Sequence, residues 1–280
     1  MNVADSGAAA HAVASVGAIR WPAEAIWEAV VPDLPGFSVE ILPQIDSTNT
    51  ELMRRARAGR LEPVLLVAEQ QTAGRGRLGR QWLSGQATSV GAQASLTFSI
   101  GLPLSPLDWS GLSLAVGVSV VESLHPDLRL KWPNDVWLHD CKLAGILIET
   151  ASWGDTRYAV VGVGINIKER DATGLATPPA CLREVLPGID APQALLRIAA
   201  PLVQAIKTFE ASGFASFQTR FNDRDALGGL TVILSDGTSG TALGVDGVGA
   251  LRVQTAQGLK KITSSEVSVR PLAPPPYEHL

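Results

Sequence analysis

The pattern of apolar and polar residues predicts alternating strands and helices up to about residue 226. Apolar runs and partial alternation indicate strands, whereas apolar residues at helical spacing indicate helices. The predicted strands are 37–45, 64–68, 94–100, 128–132, 136–138, 143–150 and 158–167. The predicted helices are 21–31, 48–58, 109–124, 192–209 (broken or kinked at Pro201) and 214–222. Because short turns join the strands between 128 and 167, at least part of the sheet is expected to be antiparallel.

The helix predicted at 48–58 carries its own start and stop signals. Thr48 fits an N-cap residue, and Glu51 fits the partner that completes a capping box. Gly59 supplies the C-terminal stop, because glycine readily adopts the left-handed conformation that ends many helices.

The last 50 residues have a different pattern. Asp-Gly, Asp-Gly and Gln-Gly pairs begin at 236, 246 and 257, between runs rich in β-branched residues. Evenly spaced turns of this kind predict a small all-β barrel or sandwich. With a linker near 227–229, the predicted organisation is a partly disordered leader (1–38), a main domain (39–226) and a C-terminal β domain (229–272).

Composition narrows the function classes. With 280 residues, 46% hydrophobic and 18% charged, the chain is typical of a soluble globular protein with a sizeable core. A net charge of −4 argues against general binding to nucleic acid or a membrane surface. Cys141 and Cys181 belong to no CxxC or Cys/His cluster, and free thiols fit a reducing compartment. No signal peptide or membrane span is recognised, so the protein is expected to be cytoplasmic.

Residues 74–80 read Gly-Arg-Gly-Arg-Leu-Gly-Arg, a basic cluster in an acidic protein. Glycines allow backbone N–H groups to approach a ligand, and arginine forks suit carboxylate and phosphate oxygens. The stretch therefore indicates either a cationic loop that closes over an anionic small molecule or a solvated basic turn. It also satisfies G-x-G-x-x-G, but residues 81–85 are a poor helix start and Asp108 is the first following acid. A dinucleotide fingerprint is therefore not supported, and the kinase motifs are missing.

Three other stretches combine unusual residues. Residues 131–135 (Lys-Trp-Pro-Asn-Asp) set an ammonium, an amide and a carboxylate at a strand end, which suits a nucleotide with Mg²⁺, although taken alone they are explained better by a simple Pro-Asn-Asp turn. Residues 142–149 and 162–166 place glycines inside neighbouring strands, which favours either a slot for a flat molecule or close packing. Residues 47–49 (Ser-Thr-Asn) are explained by helix capping, or by polar groups that face a ligand.

These five stretches, in this order, closely resemble those of bacterial biotin protein ligases (biotin–[acetyl-CoA-carboxylase] ligases). The resemblance covers roughly residues 39–270 and corresponds to the form without an N-terminal helix-turn-helix domain. It implies an α+β fold, with a mixed sheet flanked by helices as in class II aminoacyl-tRNA synthetases and lipoate ligases. A small C-terminal SH3-like β-barrel is expected to follow.

The resemblance also implies a two-step reaction with ATP, biotin and Mg²⁺. Biotin is first converted to biotinyl-5′-AMP, and the biotinyl group is then transferred to a lysine of the biotin carboxyl carrier protein. The implied catalytic residues are Lys142, Arg77 and Arg80, and the implied metal ligand is Asp135. The residues implied to bind biotin or nucleotide are Ser47, Thr48, Asn49, Gln71, Gly74, Arg75, Gly76, Arg77, Trp82, Lys131, Asn134, Lys142, Gly145, Gly162 and Asn166.

Two departures and two rivals accompany this interpretation. The leader is too short for the repressor domain of some relatives, so no DNA binding is expected, and no membrane partner; a homodimer is compatible with the resemblance. Leu78 replaces an arginine that some relatives carry in the loop. The rival functions are a lipoate or octanoate ligase of the same fold and, from another class, a non-enzymatic biotin-sensing regulator.

Overall fold

A mixed seven-stranded sheet forms the centre of the larger domain in the computed structural model, which describes residues 19–83, 94–169, 179–263 and 269–271. Its strands are β1 (Ser38–Ile45), β2 (Val64–Gln71), β3 (Ser95–Pro103), β4 (Arg129–Lys131), β5 (Asp135–Leu138), β6 (Cys141–Trp153) and β7 (Thr156–Asn166). Their order is β1-β2-β3-β7-β6-β5-β4. Only β1 and β2 pair in parallel; the others pair antiparallel, which confirms the antiparallel meander expected from the short turns.

Helices cover both faces of this sheet. They are α1 (Ala23–Val30), α2 (Thr48–Arg57), α3 (Leu112–Leu124), α4 (Ala191–Ser212) and α5 (Gln218–Asn222). Helix α3 packs on α4 and on one face, where Gly117 lets it approach Leu130 and Ile146 closely. Helix α2 packs on the other face. No helix in the described ranges combines the length and apolarity needed to cross a membrane.

Four local predictions about helices differ from the structure, either wholly or in part. The N-cap of α2 is Ser47, not Thr48, because the Ser47 side chain accepts a hydrogen bond from the Thr50 backbone N–H at 3.4 Å. Glu51 pairs with two arginines of the same helix and does not complete a capping box. Helix α4 is not broken at Pro201, since its buried apolar face packs against the core on both sides of the proline. The segment predicted as one helix over 214–222 is a 3₁₀ turn followed by α5.

The C-terminal residues form a separate antiparallel sheet of five strands among those described. The strands are β8 (Thr231–Leu234), β9 (Ser239–Val245), β10 (Leu251–Thr255), β11 (Gly258–Ile262) and β12 (Val269–Pro271), in the order β11-β10-β9-β8-β12. Gly237 has a φ of 82°, and the Asp246 carboxylate accepts hydrogen bonds from two backbone N–H groups of its turn. The evenly spaced turn pairs therefore correctly predicted a small all-β domain, and its five strands are consistent with the SH3-like barrel that the resemblance implied.

The two sheets share one apolar core, which passes through the predicted linker region. The Leu130 backbone N–H donates to the Arg224 carbonyl at 2.7 Å, and the Trp132 indole Nε1 donates to the Gly249 carbonyl at 3.1 Å. Trp132 is buried, with only 1% of its surface exposed. The indole therefore anchors the strand that leads to Asn134 and Asp135 on the C-terminal domain.

Replacement of Trp132 by phenylalanine tests this anchor. Trp132→Phe leaves the buried Gly249 carbonyl without its donor and should lower the free energy of unfolding by about 1–3 kcal/mol more than the loss of ring volume alone. Trp137→Phe is the matched control, because the Trp137 Nε1 is buried and has no hydrogen-bond partner among the described residues. Denaturant unfolding of both variants gives the comparison. Equal destabilisation by the two substitutions would contradict an anchoring role for the Trp132 hydrogen bond.

Candidate active site

One cleft on the α2 face brings the unusual sequence stretches together. It has a cavity volume of about 140 Å³ and lies between the start of α2, the loop over residues 74–82, and strands β5, β6 and β7. The sequence-predicted residues that line it are Ser47, Thr48, Asn49, Gln71, Arg75, Gly76, Arg77, Arg80, Trp82, Asn134, Asp135, Lys142, Gly145 and Gly162. Gly74, Lys131 and Asn166 do not line it. Stretches that lie more than 100 residues apart in the sequence thus meet in one site.

Asn49 forms the floor of the cleft at the first turn of α2. Its side-chain Nδ2 donates to the Leu147 carbonyl at 3.3 Å, and its Oδ1 accepts from the Ser99 hydroxyl at 2.6 Å. A Cβ on Gly162 would overlap Asn49 Oδ1, so this glycine lets the amide lie flat on β7. The space beside Gly162, expected to admit a ligand ring, is therefore filled by the Asn49 amide.

Trp82 packs against two further strand glycines, Gly145 and Gly164. Gly145 and Gly164 face each other across β6 and β7, and a Cβ on Gly164 would overlap the Trp82 indole. The indole is also 3.5 Å from the Cβ position of Gly145. The space beside these two glycines, expected to admit a flat ligand, is filled in this structure by the Trp82 indole.

The loop over residues 74–82, called the Gly/Arg loop below, is stabilised by hydrogen bonds within its own backbone. The Gly76 N–H donates to the Arg80 carbonyl at 2.7 Å, and the Trp82 N–H donates to the Gly74 carbonyl at 3.0 Å. Gly74 has no room for a side chain, because a Cβ there would overlap the Trp82 carbonyl. Leu78 lies in a 3₁₀ turn with a φ of 55°, and its side chain is exposed, so the residue that departs from the arginine of some relatives points away from the core.

Cationic side chains converge at the end of the cleft formed by β5 and β6. Lys142 Nζ is 2.7 Å from Asp135 Oδ1, and Arg77 Nη1 donates to Asn134 Oδ1 at 3.2 Å. The Asn134 amide is fixed in turn, because its Nδ2 donates to the Ile146 carbonyl at 2.9 Å. Burial lowers the pKa of the Arg77 guanidinium, an effect that Asp135 opposes and Arg80 reinforces. Since an arginine stays charged even so, the partly buried cation is suited to an anionic ligand.

Two residues implied by the resemblance have other contacts. The Lys131 ammonium lies 4.7 Å from the centre of the Trp137 ring, which is a cation–π contact outside the cleft. Asn166 is fully buried, and its Nδ2 donates to the Ala180 carbonyl at 2.9 Å and to the Lys142 carbonyl at 3.3 Å. The geometry therefore places Asn166 as a support for the backbone of Lys142.

Two site residues were missed by the sequence reasoning, Ser99 and Glu149. Ser99 is fully buried, and its hydroxyl lies within hydrogen-bond distance of both Thr48 and Asn49. The sequence did contain an indication of this role, because Ser95, Thr97 and Ser99 alternate with apolar residues along β3 and form one polar face. Glu149 closes the stretch that begins at Lys142 and accepts from Asn49 Nδ2 at 3.0 Å.

Comparison with known proteins agrees with this geometry. Residues 41–166 match the model of the biotin/lipoate A/B protein ligase family, and residues 230–270 match that of the biotin protein ligase C-terminal domain. The bifunctional ligase/repressor BirA of Escherichia coli is 34% identical over 252 residues, which cover 86% of this chain and 77% of that protein. The biotin–[acetyl-CoA-carboxylase] ligase of Paracoccus denitrificans is 32% identical over 248 residues, 81% of this chain and 98% of that protein.

A solved structure supports the same family assignment. The biotin protein ligase of Aquifex aeolicus, determined in complex with biotin and ATP, is 30% identical and superposes with a TM-score of 0.69. The match covers 83% of this chain and 98% of that one. Both domains are therefore accounted for by one family, and the chain belongs to the biotin protein ligases.

Proposed function

We propose that the protein is an ATP-dependent biotin–protein ligase that activates biotin as biotinyl-5′-AMP and transfers it to a lysine of a biotin carboxyl carrier protein. The observation that carries this proposal is the convergence of Arg77, Arg80 and Lys142 on one cleft beside Asn134 and Asp135. The reaction must bring together two anions, the biotin carboxylate and the ATP phosphates. Fixed cations at the meeting point reduce their repulsion and stabilise charge as it builds at phosphorus.

In the first step, a carboxylate oxygen of biotin forms a bond to the α-phosphorus of ATP while the bond to pyrophosphate breaks. We assign Lys142 and Arg77 to the charge on the reacting carboxylate and α-phosphate. Both cations are prepositioned, by Asp135 and Asn134 respectively, so little reorganisation is needed when the substrates bind. Arg80 lines the same end of the cleft and adds a third positive charge.

In the second step, the neutral amine of the acceptor lysine attacks the carbonyl carbon of the mixed anhydride. An amide bond forms as the nitrogen loses a proton to solvent, and the bond between the carbonyl carbon and the phosphate oxygen breaks, so AMP leaves with that oxygen carrying the negative charge. The same cations stabilise the departing phosphate. The loop over residues 74–82 lines the cleft and, closed over the bound intermediate, would exclude water from the anhydride, which otherwise hydrolyses.

Asp135 is suited to a divalent cation held mainly by the substrate. No group of three or more acidic, histidine or cysteine residues that could hold a metal is found in the described ranges. A single carboxylate fits Mg²⁺, which commonly takes one or two protein carboxylates and completes its shell with water and phosphate oxygens. When bound, the ion would neutralise phosphate charge and orient the triphosphate.

Pyrophosphate exchange into ATP tests the substrate. The purified protein with ATP and Mg²⁺ should exchange labelled pyrophosphate when biotin is added, and should then biotinylate a carrier fragment. Lipoate is the control substrate, because a lipoate ligase shares the fold and the adenylation chemistry. Exchange that lipoate stimulates and biotin does not would overturn the assignment. Binding of operator DNA without exchange or carrier modification would instead support a regulator.

Lys142 can be tested by removal of its ammonium group. Lys142→Ala should lower the rate of biotin-dependent exchange about 100-fold or more, because one preorganised charge at the reacting atoms is lost. The matched control is Lys207→Ala on α4, whose ammonium pairs with Glu210 on the surface of the opposite face. Rates of exchange, measured at saturating biotin and ATP, should be unchanged in the control. A Lys142 variant that retains full activity would rule out the proposed catalytic role.

Gly162 provides a test of the cleft floor. Gly162→Ala should weaken biotin binding and lower the free energy of unfolding by about 1–3 kcal/mol, because its Cβ overlaps the Asn49 amide. Gly228→Ala is the control, since its Cβ would meet atoms no closer than 3.7 Å. Combination of Gly162→Ala with Asn49→Ala removes the clash and should cost less stability than the sum of the two single changes. Simple additivity, measured by denaturant unfolding, would show that the two residues do not share this space.

A further inference from the structure

The Glu149 carboxylate joins the Gly/Arg loop to the floor of the cleft. Glu149 Oε1 is 3.0 Å from Arg75 Nη1, and Glu149 Oε2 accepts from Asn49 Nδ2 at 3.0 Å. Strand alternation brings this about, because Glu149 lies two and four residues from Leu147 and Gly145 and faces the same side of the sheet. One carboxylate thus contacts both a loop residue and the first turn of α2.

The contacts of Asn49 continue to the residue from which the loop departs. Ser99 Oγ is 2.7 Å from Thr48 Oγ1 and 2.6 Å from Asn49 Oδ1. The Thr48 backbone N–H donates to Gln71 Oε1 at 2.8 Å, and Gln71 is the last residue of β2. A chain of hydrogen bonds therefore runs from Arg75 through Glu149, Asn49 and Thr48 back to the start of the loop.

The ion pair between Glu149 and Arg75 is partly shielded from solvent. The Glu149 side chain is 20% exposed and the Arg75 side chain 49%, so the carboxylate is partly shielded while the guanidinium reaches it from the loop. A charged acceptor strengthens both hydrogen bonds that it receives. The Arg75 guanidinium, which the resemblance assigned to biotin, is directed to a protein carboxylate.

We propose that Glu149 is a positioning residue that holds the loop over the cleft through Arg75 while it fixes Asn49 in the floor. We name Arg75, Glu149 and Asn49 the Glu149 latch. The inference rests on the proposed function, because it assigns the latch to biotin binding. With the latch formed, the loop and the floor of the cleft are already in position when biotin binds. The charge at phosphorus does not depend on the latch, because Arg77 and Lys142 balance it. Loss of the latch therefore affects biotin affinity more than turnover.

A double-mutant cycle tests the latch. Glu149→Gln and Arg75→Met should each raise the KM for biotin in pyrophosphate exchange about 10-fold, with kcat changed much less. The double variant should be no worse than Glu149→Gln alone, because the contact with Arg75 is already lost in that variant. Arg75→Lys keeps the charge and should recover part of the affinity. Glu122→Gln is the control, since Glu122 pairs with Arg220 on the opposite face of the sheet.

Trypsin digestion of the protein without substrates gives an independent readout. Each variant keeps Arg77 and Arg80 as cleavage sites, and release of the latch should speed cleavage there several-fold relative to the wild-type protein and the Glu122→Gln control. Additive effects on KM, or a fall in kcat with KM unchanged, would overturn the proposal. So would an effect of Arg75→Met that Glu149→Gln does not share, since Arg75 would then act on the substrate itself. If the wild-type protein shows no biotin-dependent exchange, the proposed function fails, and the digestion still tests the latch.

Discussion

The contact between the Asn49 amide and the bare backbone of Gly162 is the constraint on which the cleft depends. It lets the first turn of α2 lie on the sheet, where the amide bonds to groups of β3 and β6. A buried amide is tolerated because both of its ends have partners. The Ser-Thr-Asn stretch and the glycine-rich strand β7 are therefore two halves of one contact, although about 110 residues separate them in the chain.

The electrostatics of the site follow from how its cations are held. A protein with a formal net charge of −4 gathers three cations at one end of a single cleft. Two of these are held in place by polar neighbours, because Arg77 donates to the Asn134 amide and Lys142 lies beside the Asp135 carboxylate. An incoming anion can join these contacts, because Asp135 is the single carboxylate among the described residues that line the cleft. The arrangement keeps the cations in place without neutralising the site.

Much of the fold and site could be predicted from local sequence. The strands, the antiparallel meander and the C-terminal β domain follow from periodicity and turn residues, and five short stretches indicated the cleft. The remainder depends on contacts between distant residues. Ser47 caps α2 because of a backbone angle that sequence does not reveal, and Pro201 is tolerated because packing outweighs one lost hydrogen bond. Ser99 and Glu149 gain their roles from partners about 50 and 100 residues away.

The indole of Trp132 sets a limit on how this protein can be divided. Its donor bonds to the C-terminal domain, while the following residues carry Asn134 and Asp135 into the cleft. A truncation at the linker would uncover this indole and the adjoining apolar core, so the shorter fragment would not be a self-sufficient enzyme. The small β domain is thus part of the folding unit of the larger domain. A chimaera that exchanges either domain must therefore keep both Trp132 and the Gly249 turn that it contacts.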